Sequence, residues 1–209
     1  MAWISKNAYL SMDEMKNNAD IIYSTLINKG WTKNAIAGML GNMQSESNIN
    51  PGIWQSLDSG NMSLGYGLVQ WTPASKYINW ANDNGYDIAD GYAQLIWIDE
   101  VTAVYGQWIP TSTYNFSWAE FKKSLQSPEY LASAFLKNFE RAGVEVENAR
   151  RTQARFWWDY IGGTVIDPEE PEPEEPDTPG GTKTKKKKGY NFILFNRNRR
   201  LRTWKNKNF

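Results

Sequence analysis

The chain has 209 residues, 41% hydrophobic and 14% aromatic, enough for the core of one ordinary domain with sequence to spare. It contains no cysteine and no histidine, which excludes disulfides, thiolate or imidazole metal sites and His-based nucleophilic pairs. Any acid–base chemistry therefore falls to Asp, Glu, Lys or Tyr, and no metal or other cofactor is expected.

The first half of the chain reads as short helices. Ser11-Met12-Asp13-Glu14 is a capping box, followed by Met15, Ala19, Ile22 and Leu26 at helical spacing and a stop at Gly30. Thr32 can cap a second helix that carries Ile36, Leu40 and Met43 on one face. The stretch from Leu57 to Trp71 is rich in Gly and Ser and is the best candidate for a short β-hairpin. Thr72-Pro73 is expected to open a helix with Pro in its first turn, running to about Asn84 and stopping at Gly85.

Further helices are expected from Gly91 to Val104, from the capping box Ser117-Trp118-Ala119-Glu120, and from Ser127-Pro128 through Leu131, Phe135 and Leu136. A last one runs through Arg150, Ala154 and Trp158 to Gly162-Gly163, with Trp157-Trp158 as core packing. The expected fold class is mainly α, or α+β with a small β-hairpin element.

The zero net charge hides three unlike segments. Residues 1–163 carry 12 basic and 16 acidic side chains and form the expected folded domain. Residues 164–181 carry 7 acidic and no basic side chains amid repeated Pro, the composition of an extended, self-repelling linker. Residues 182–209 carry 11 basic and no acidic side chains, interleaved with Tyr190, Phe192, Phe195 and Trp204, and are too few to fold alone. No apolar run approaches the ~20 residues of a membrane span, and the N-terminus lacks the charged and apolar regions of a secretory signal.

Glu46 stands at the end of the second helix, three residues after Met43, and so shares the face that Met43 and Leu40 bury. A carboxyl half-buried against apolar groups keeps its proton to higher pH, as a general acid requires. Ser47-Asn48-Ile49-Asn50-Pro51-Gly52 then breaks the helix and sets Glu46 at the lip of a cleft. By spacing alone, an ordinary helix-end carboxylate is the commoner reading. Gly65-Tyr66-Gly67-Leu68-Val69-Gln70-Trp71 offers close backbone approach, a polar arm in Gln70 and aromatic plates for sugar rings. Taken alone it reads as a hairpin turn with core aromatics.

Taken together, these stretches resemble a known family. Gln44-Ser45-Glu46-Ser47, Asn50-Pro51 and Gly67-Leu68-Val69-Gln70 are similar to the Glu-Ser and Gly-Leu-(Met/Val)-Gln motifs of goose-type lysozymes and soluble lytic transglycosylases. The closer resemblance is to the phage tail lysozyme family, through Gly30-Trp31-Thr32-Lys33, Gly38-Met39-Leu40-Gly41-Asn42-Met43-Gln44-Ser45-Glu46-Ser47 and Gly67-Leu68-Val69-Gln70-Trp71-Thr72-Pro73. The resemblance covers roughly residues 5–162.

It implies a lysozyme-like fold that cuts the β-1,4 bond between N-acetylmuramic acid and N-acetylglucosamine, with Glu46 as the catalytic acid. Asp58 falls about where goose-type enzymes keep an acid that orients water, and a separation of roughly 6.5–9.5 Å from Glu46 would make the reaction an inverting hydrolysis. With nothing acidic opposite Glu46, a lytic transglycosylase is implied instead. An Asx-type turn before Gly60 is the competing reading of Asp58.

The resemblance assigns Tyr66 and Gln70 to substrate binding, and Trp71 equally to substrate or core. Phe139-Glu140-Arg141 matches a further family segment; Glu140 lining the cleft is one reading, a Glu140–Arg141 surface pair the plainer one. Longer relatives add a zinc metallopeptidase domain, which a chain without histidine is not expected to provide. The phage resemblance implies a virion location and action on the host wall. The basic tail is then expected to dock on another virion protein, with nucleic acid or an anionic wall polymer or lipid as competing partners.

Overall fold

A computed structural model of the chain describes residues 1–141 and 146–163. The expected acidic linker and basic tail lie outside the described residues.

The described residues are mainly helical. α1 (Met12–Asn28) opens with the full Ser11/Glu14 capping box, and α2 (Lys33–Ser47) opens with Thr32 accepting from the Ala35 amide. α3 spans Ser75–Asp83 and α4 Gly91–Ile96, the latter capped by Asp90 and continuing as a π turn over Trp97–Val101. α5 (Trp118–Lys123) has the second capping box, on Ser117 and Glu120. α6 (Pro128–Phe135) starts with Pro at its first turn and continues as a π turn over Leu136–Glu140, ended by Arg141 at φ 59°. α7 spans Glu147–Tyr160. None of the described helices is long and apolar enough to cross a membrane.

Two expectations are corrected. α3 begins at Ser75 rather than at Thr72-Pro73, because the amides of Ala74 and Ser75 donate back to Leu64 O and Met62 O at 2.7 and 3.2 Å. The hairpin between Leu57 and Trp71 does not form as a ladder. Among the described residues only isolated antiparallel bridges occur, Trp54 with Tyr66 and Tyr66 with Trp71. Left-handed backbone at Ser56, Leu57, Gly67 and Gln70 breaks the extended run that a ladder needs.

α2 is the axis of the fold. Every residue from Ala35 to Met43 is buried, and α6, α7 and α1 pack around it. Gly41 makes the closest approach possible: a Cβ there would stand 2.5 Å from Arg150 O and 2.7 Å from Ala154 N. α7 can lie this close to α2 only because that side chain is absent. Two aromatic groups extend the core. Trp31, Trp108, Trp118, Phe121, Phe135 and Phe139 interlock beneath α5 and α6, while Trp71, Tyr77, Trp80 and Trp97 join the loop before α3 to α4.

Candidate active site

The end of α2 is tied down by side chains that follow Glu46. Ser47 Oγ donates to Met43 O and Leu68 O at 3.0 and 2.9 Å, joining the helix end to the Gly67-Leu68 loop. Asn50 Nδ2 donates to Lys6 O and Ala8 O, both at 2.7 Å, and fixes the N-terminal segment against the same turn. Buried Gln94 completes the frame. Its Oε1 accepts from Leu68 N at 2.8 Å and its Nε2 donates to Pro51 O at 2.7 Å. Gly67, at φ 77°, is needed there, since a Cβ would meet Gln94 Oε1 at 2.6 Å.

This frame borders a cavity of about 440 Å³. Glu46 lines it from α2, Lys76 from α3, Glu140 and Arg141 from the end of the π turn after α6. Gln55, Gln107 and Val69 to Thr72 complete the wall. A smaller cavity of about 190 Å³ shares Trp71, Lys76 and Gln107 with it and adds Trp97 and Tyr105. Tyr105 is 67% exposed and stacks on Trp97 at 5.3 Å.

Glu46 is half-buried, as its helix phase implies, with 21% of its side chain exposed. Its neighbour is not the expected apolar wall. Arg150 Nη2, on α7, donates to Glu46 Oε1 at 2.6 Å, and Arg150 Nη1 donates to Asn42 O at 3.0 Å. The Arg150 side chain is only 6% exposed. The carboxyl held well above the usual range is Glu140, through burial first and the negative charge of Glu46 second, opposed by Arg150 and Arg141. Its Oε1 is shielded from solvent and has no hydrogen-bond partner within the protein. Glu140 is thus a cavity group and not a surface partner of Arg141, whose Nη1 donates instead to Gln107 O at 2.9 Å.

The other expected site residues divide. Gln70 lines the cavity, its Nε2 donating to Gly67 O at 3.1 Å and Ile53 O at 3.3 Å. Trp71 lines both cavities and is also core, stacked on Tyr77 at 4.6 Å. Tyr66 is placed elsewhere: it is 1% exposed, its ring lies 4.6 Å from Trp54, and burial, then Asp87, pushes its hydroxyl far up. Asp58 is exposed and is not part of the cavity wall. Its Oδ2 accepts from Asn61 Nδ2 at 2.7 Å, a side-chain bond across the turn that Asn61 N closes on Asp58 O at 3.3 Å. Sequence reasoning did not single out Arg150, Gln55, Lys76 or Gln107 for the site. Arg150 left one trace, a cation on the buried face of a helix one turn before Ala154, where only a carboxylate partner makes burial tolerable.

The model of the family described as phage tail lysozyme matches residues 17–161. The chain belongs to the phage tail lysozyme family. The match takes in Glu46, Ser47, Gln94, Glu140 and Arg150, all within residues 17–161. Over 159 residues the chain is also 52% identical to Morphogenesis protein 1 of Bacillus phage B103, covering 76% of this chain and 43% of that protein. The chain therefore spans less than half the length of that curated relative.

Proposed function

We propose that this member of the family is a peptidoglycan glycosidase that cleaves the β-1,4 bond between N-acetylmuramic acid and N-acetylglucosamine, with Glu46 as general acid. The observation that carries this reading is a solvent-accessible carboxyl, Glu46, on the wall of an open polar cavity that also holds Gln70 and Trp71. A glycan strand is long and needs more than one ring site. The adjoining aromatic cavity, with Trp97 beneath the exposed Tyr105 ring, suits the apolar face of a further sugar. Glu46 would give its proton to the glycosidic oxygen as the bond to the anomeric carbon breaks.

The phage tail lysozyme family and the phage relative support a virion protein that perforates the host wall as infection begins. The charge pattern of the C-terminal region supports a tether at 164–181 and a docking tail at 182–209. A second virion protein is the favoured partner of the tail, ahead of nucleic acid. Detection of the chain in purified virions tests the location.

The catalytic assignment is tested by turbidity. Purified protein is expected to clear a peptidoglycan suspension, and Glu46→Gln to lower that rate by about 10²–10⁴-fold, with an unchanged circular-dichroism spectrum. A folded Glu46→Gln with full activity sinks the assignment.

A further inference from the structure

The glycosidase reading leaves Glu140 without a task, although it lines the same cavity as Glu46. The local charges set the problem. From α2 comes Glu46, from the π turn after α6 come Glu140 and Arg141, from α7 comes Arg150, and from α3 comes Lys76. Gln55, Gln70 and Gln107 are neutral. Lys76 and Arg141 are exposed, and Arg141 bonds a carbonyl. Among these described groups Arg150 alone is a buried cation, and its ion pair goes to Glu46. One guanidinium neutralises one carboxylate. The other carboxyl has a shielded oxygen with no partner, a position where a bare charge is costly and a proton is the cheapest neutraliser.

We propose that Glu46 and Glu140 work as a pair that holds one proton between them beside Arg150, and that this pair, not Glu46 alone, is the acid of the glycosidic cleavage. The inference rests on the glycosidase reading of Glu46. In the resting pair Glu140 carries the proton, and Arg150 is bonded to Glu46. The proton passes to Glu46 when a glycan occupies the cavity, and the charge of Arg150, no longer neutralised by Glu46, then offsets the ionised Glu140. Glu46 then delivers it to the glycosidic oxygen, which departs with the electron pair of the broken carbon–oxygen bond. The hydroxyl that adds to the anomeric carbon, from water or from the sugar itself, releases a proton that returns to the pair. Two carboxyls on one cavity wall, each disfavouring the other's charge, hold a shared proton more tightly than either group alone. Glu140 is thus a positioning residue, acting through Glu46.

The test is the pH profile of kcat/KM on purified glycan strands for wild type, Glu140→Gln and Glu140→Asp. Glutamine removes one carboxyl of the pair, so the proton that limits the alkaline side is expected to be lost at lower pH. The alkaline limb should move toward acid by about one pH unit or more, with acid-side activity retained. Glu140→Asp keeps a carboxyl and is expected to restore part of the shift. A folded Glu140→Gln with the wild-type limb overturns the pair, and so does one that is inactive at every pH.

Carbon-13 NMR of glutamate-labelled wild type does not depend on the variant folding. One side-chain carboxyl is expected to stay protonated at neutral pH and to release its proton at lower pH in Glu46→Gln. A wild type in which every glutamate is ionised at neutral pH overturns the proposal. If Glu46→Gln is fully active the glycosidase reading itself falls. If Glu46→Gln is dead and the Glu140→Gln limb is unmoved, only the pair falls.

Discussion

Glu46 on α2 and Arg150 on α7, 104 residues apart in sequence, meet at 2.6 Å, and this ion pair fixes where the Glu46 carboxyl points in the cavity. Arg150 also holds Asn42 O, so a single side chain orients Glu46 and satisfies the α2 backbone one turn earlier. Replacing Arg150 with Met keeps the bulk and removes both bonds. Glu46 is then a partly buried carboxylate without a partner, and the expected loss is about 3 kcal/mol of stability. Activity is expected to fall in parallel. Urea unfolding and the turbidity rate check both; a stable, fully active variant would show that Arg150 neither supports the fold nor aims Glu46.

The approach of α7 to α2 is what brings Arg150 to Glu46, and Gly41 permits it. Gly41→Ala places a methyl 2.5 Å from Arg150 O, which α7 backbone must yield to. Overpacking of this kind costs about 1–3 kcal/mol. Because the moved atoms belong to Arg150 itself, activity is expected to drop more than at a core site far from the cavity. Gly60→Ala is the control, since nothing lies within 4 Å of a Cβ there, although its φ of 83° brings some backbone strain. Comparison of thermal midpoints and rates for the two variants checks the point.

The local chemistry of the chain was legible where it is self-contained. Ser11 with Glu14, Ser117 with Glu120, and Thr32 each close a hydrogen bond within a few residues, so those helix starts read directly from spacing. The helix phase that buries Met43 also turned Glu46 inward. The loop after α2 was not legible. Asn48, a type that tolerates left-handed backbone, marked the helix end, but the path beyond it is set by left-handed backbone at Ile49, Ser56, Leu57 and Gln70, and residues of these types announce no such turn. That path carries Asp58 out to Asn61 and folds Tyr66 under Trp54. The partner of Glu46 was hidden for another reason: helix packing between distant segments creates it, and no local pattern encodes that pairing.

Asp58 offers a sharp contrast with Glu140. Its carboxylate is exposed and engaged with Asn61 within a turn. Asp58→Asn is expected to change stability by no more than about 0.5 kcal/mol and to leave the glycan-cleavage rate near wild type. A loss comparable to that of Glu46→Gln would instead require the loop to swing Asp58 into the cavity when glycan binds. Parallel rate measurements on the two variants decide.

Outside the residues that line the cavity, Asp99 on the π turn after α4 gathers three elements. Its Oδ1 accepts from Trp31 Nε1 and Lys122 Nζ, both at 2.8 Å, and its Oδ2 from Lys29 Nζ at 3.1 Å. Burial pushes its proton affinity up, but the bonds from Lys122, Trp31 and Lys29 outweigh it, and the carboxyl titrates below its ordinary range. The sign follows from linkage. A group whose folded pKa is depressed contributes stability at pH values above its unfolded pKa, and that contribution is lost as pH falls through the folded value. Asp99→Asn, which leaves Lys122 without its carboxylate partner and Lys29 with Glu100 alone, 2.8 Å away, is therefore expected to cost about 2 kcal/mol at neutral pH. The gap between variant and wild type should narrow steadily as the solution is acidified past the ordinary aspartate range. Urea unfolding of both proteins across that range measures it. A gap that stays constant into strong acid would mean that Asp99 acts by shape and hydrogen bonding rather than by charge.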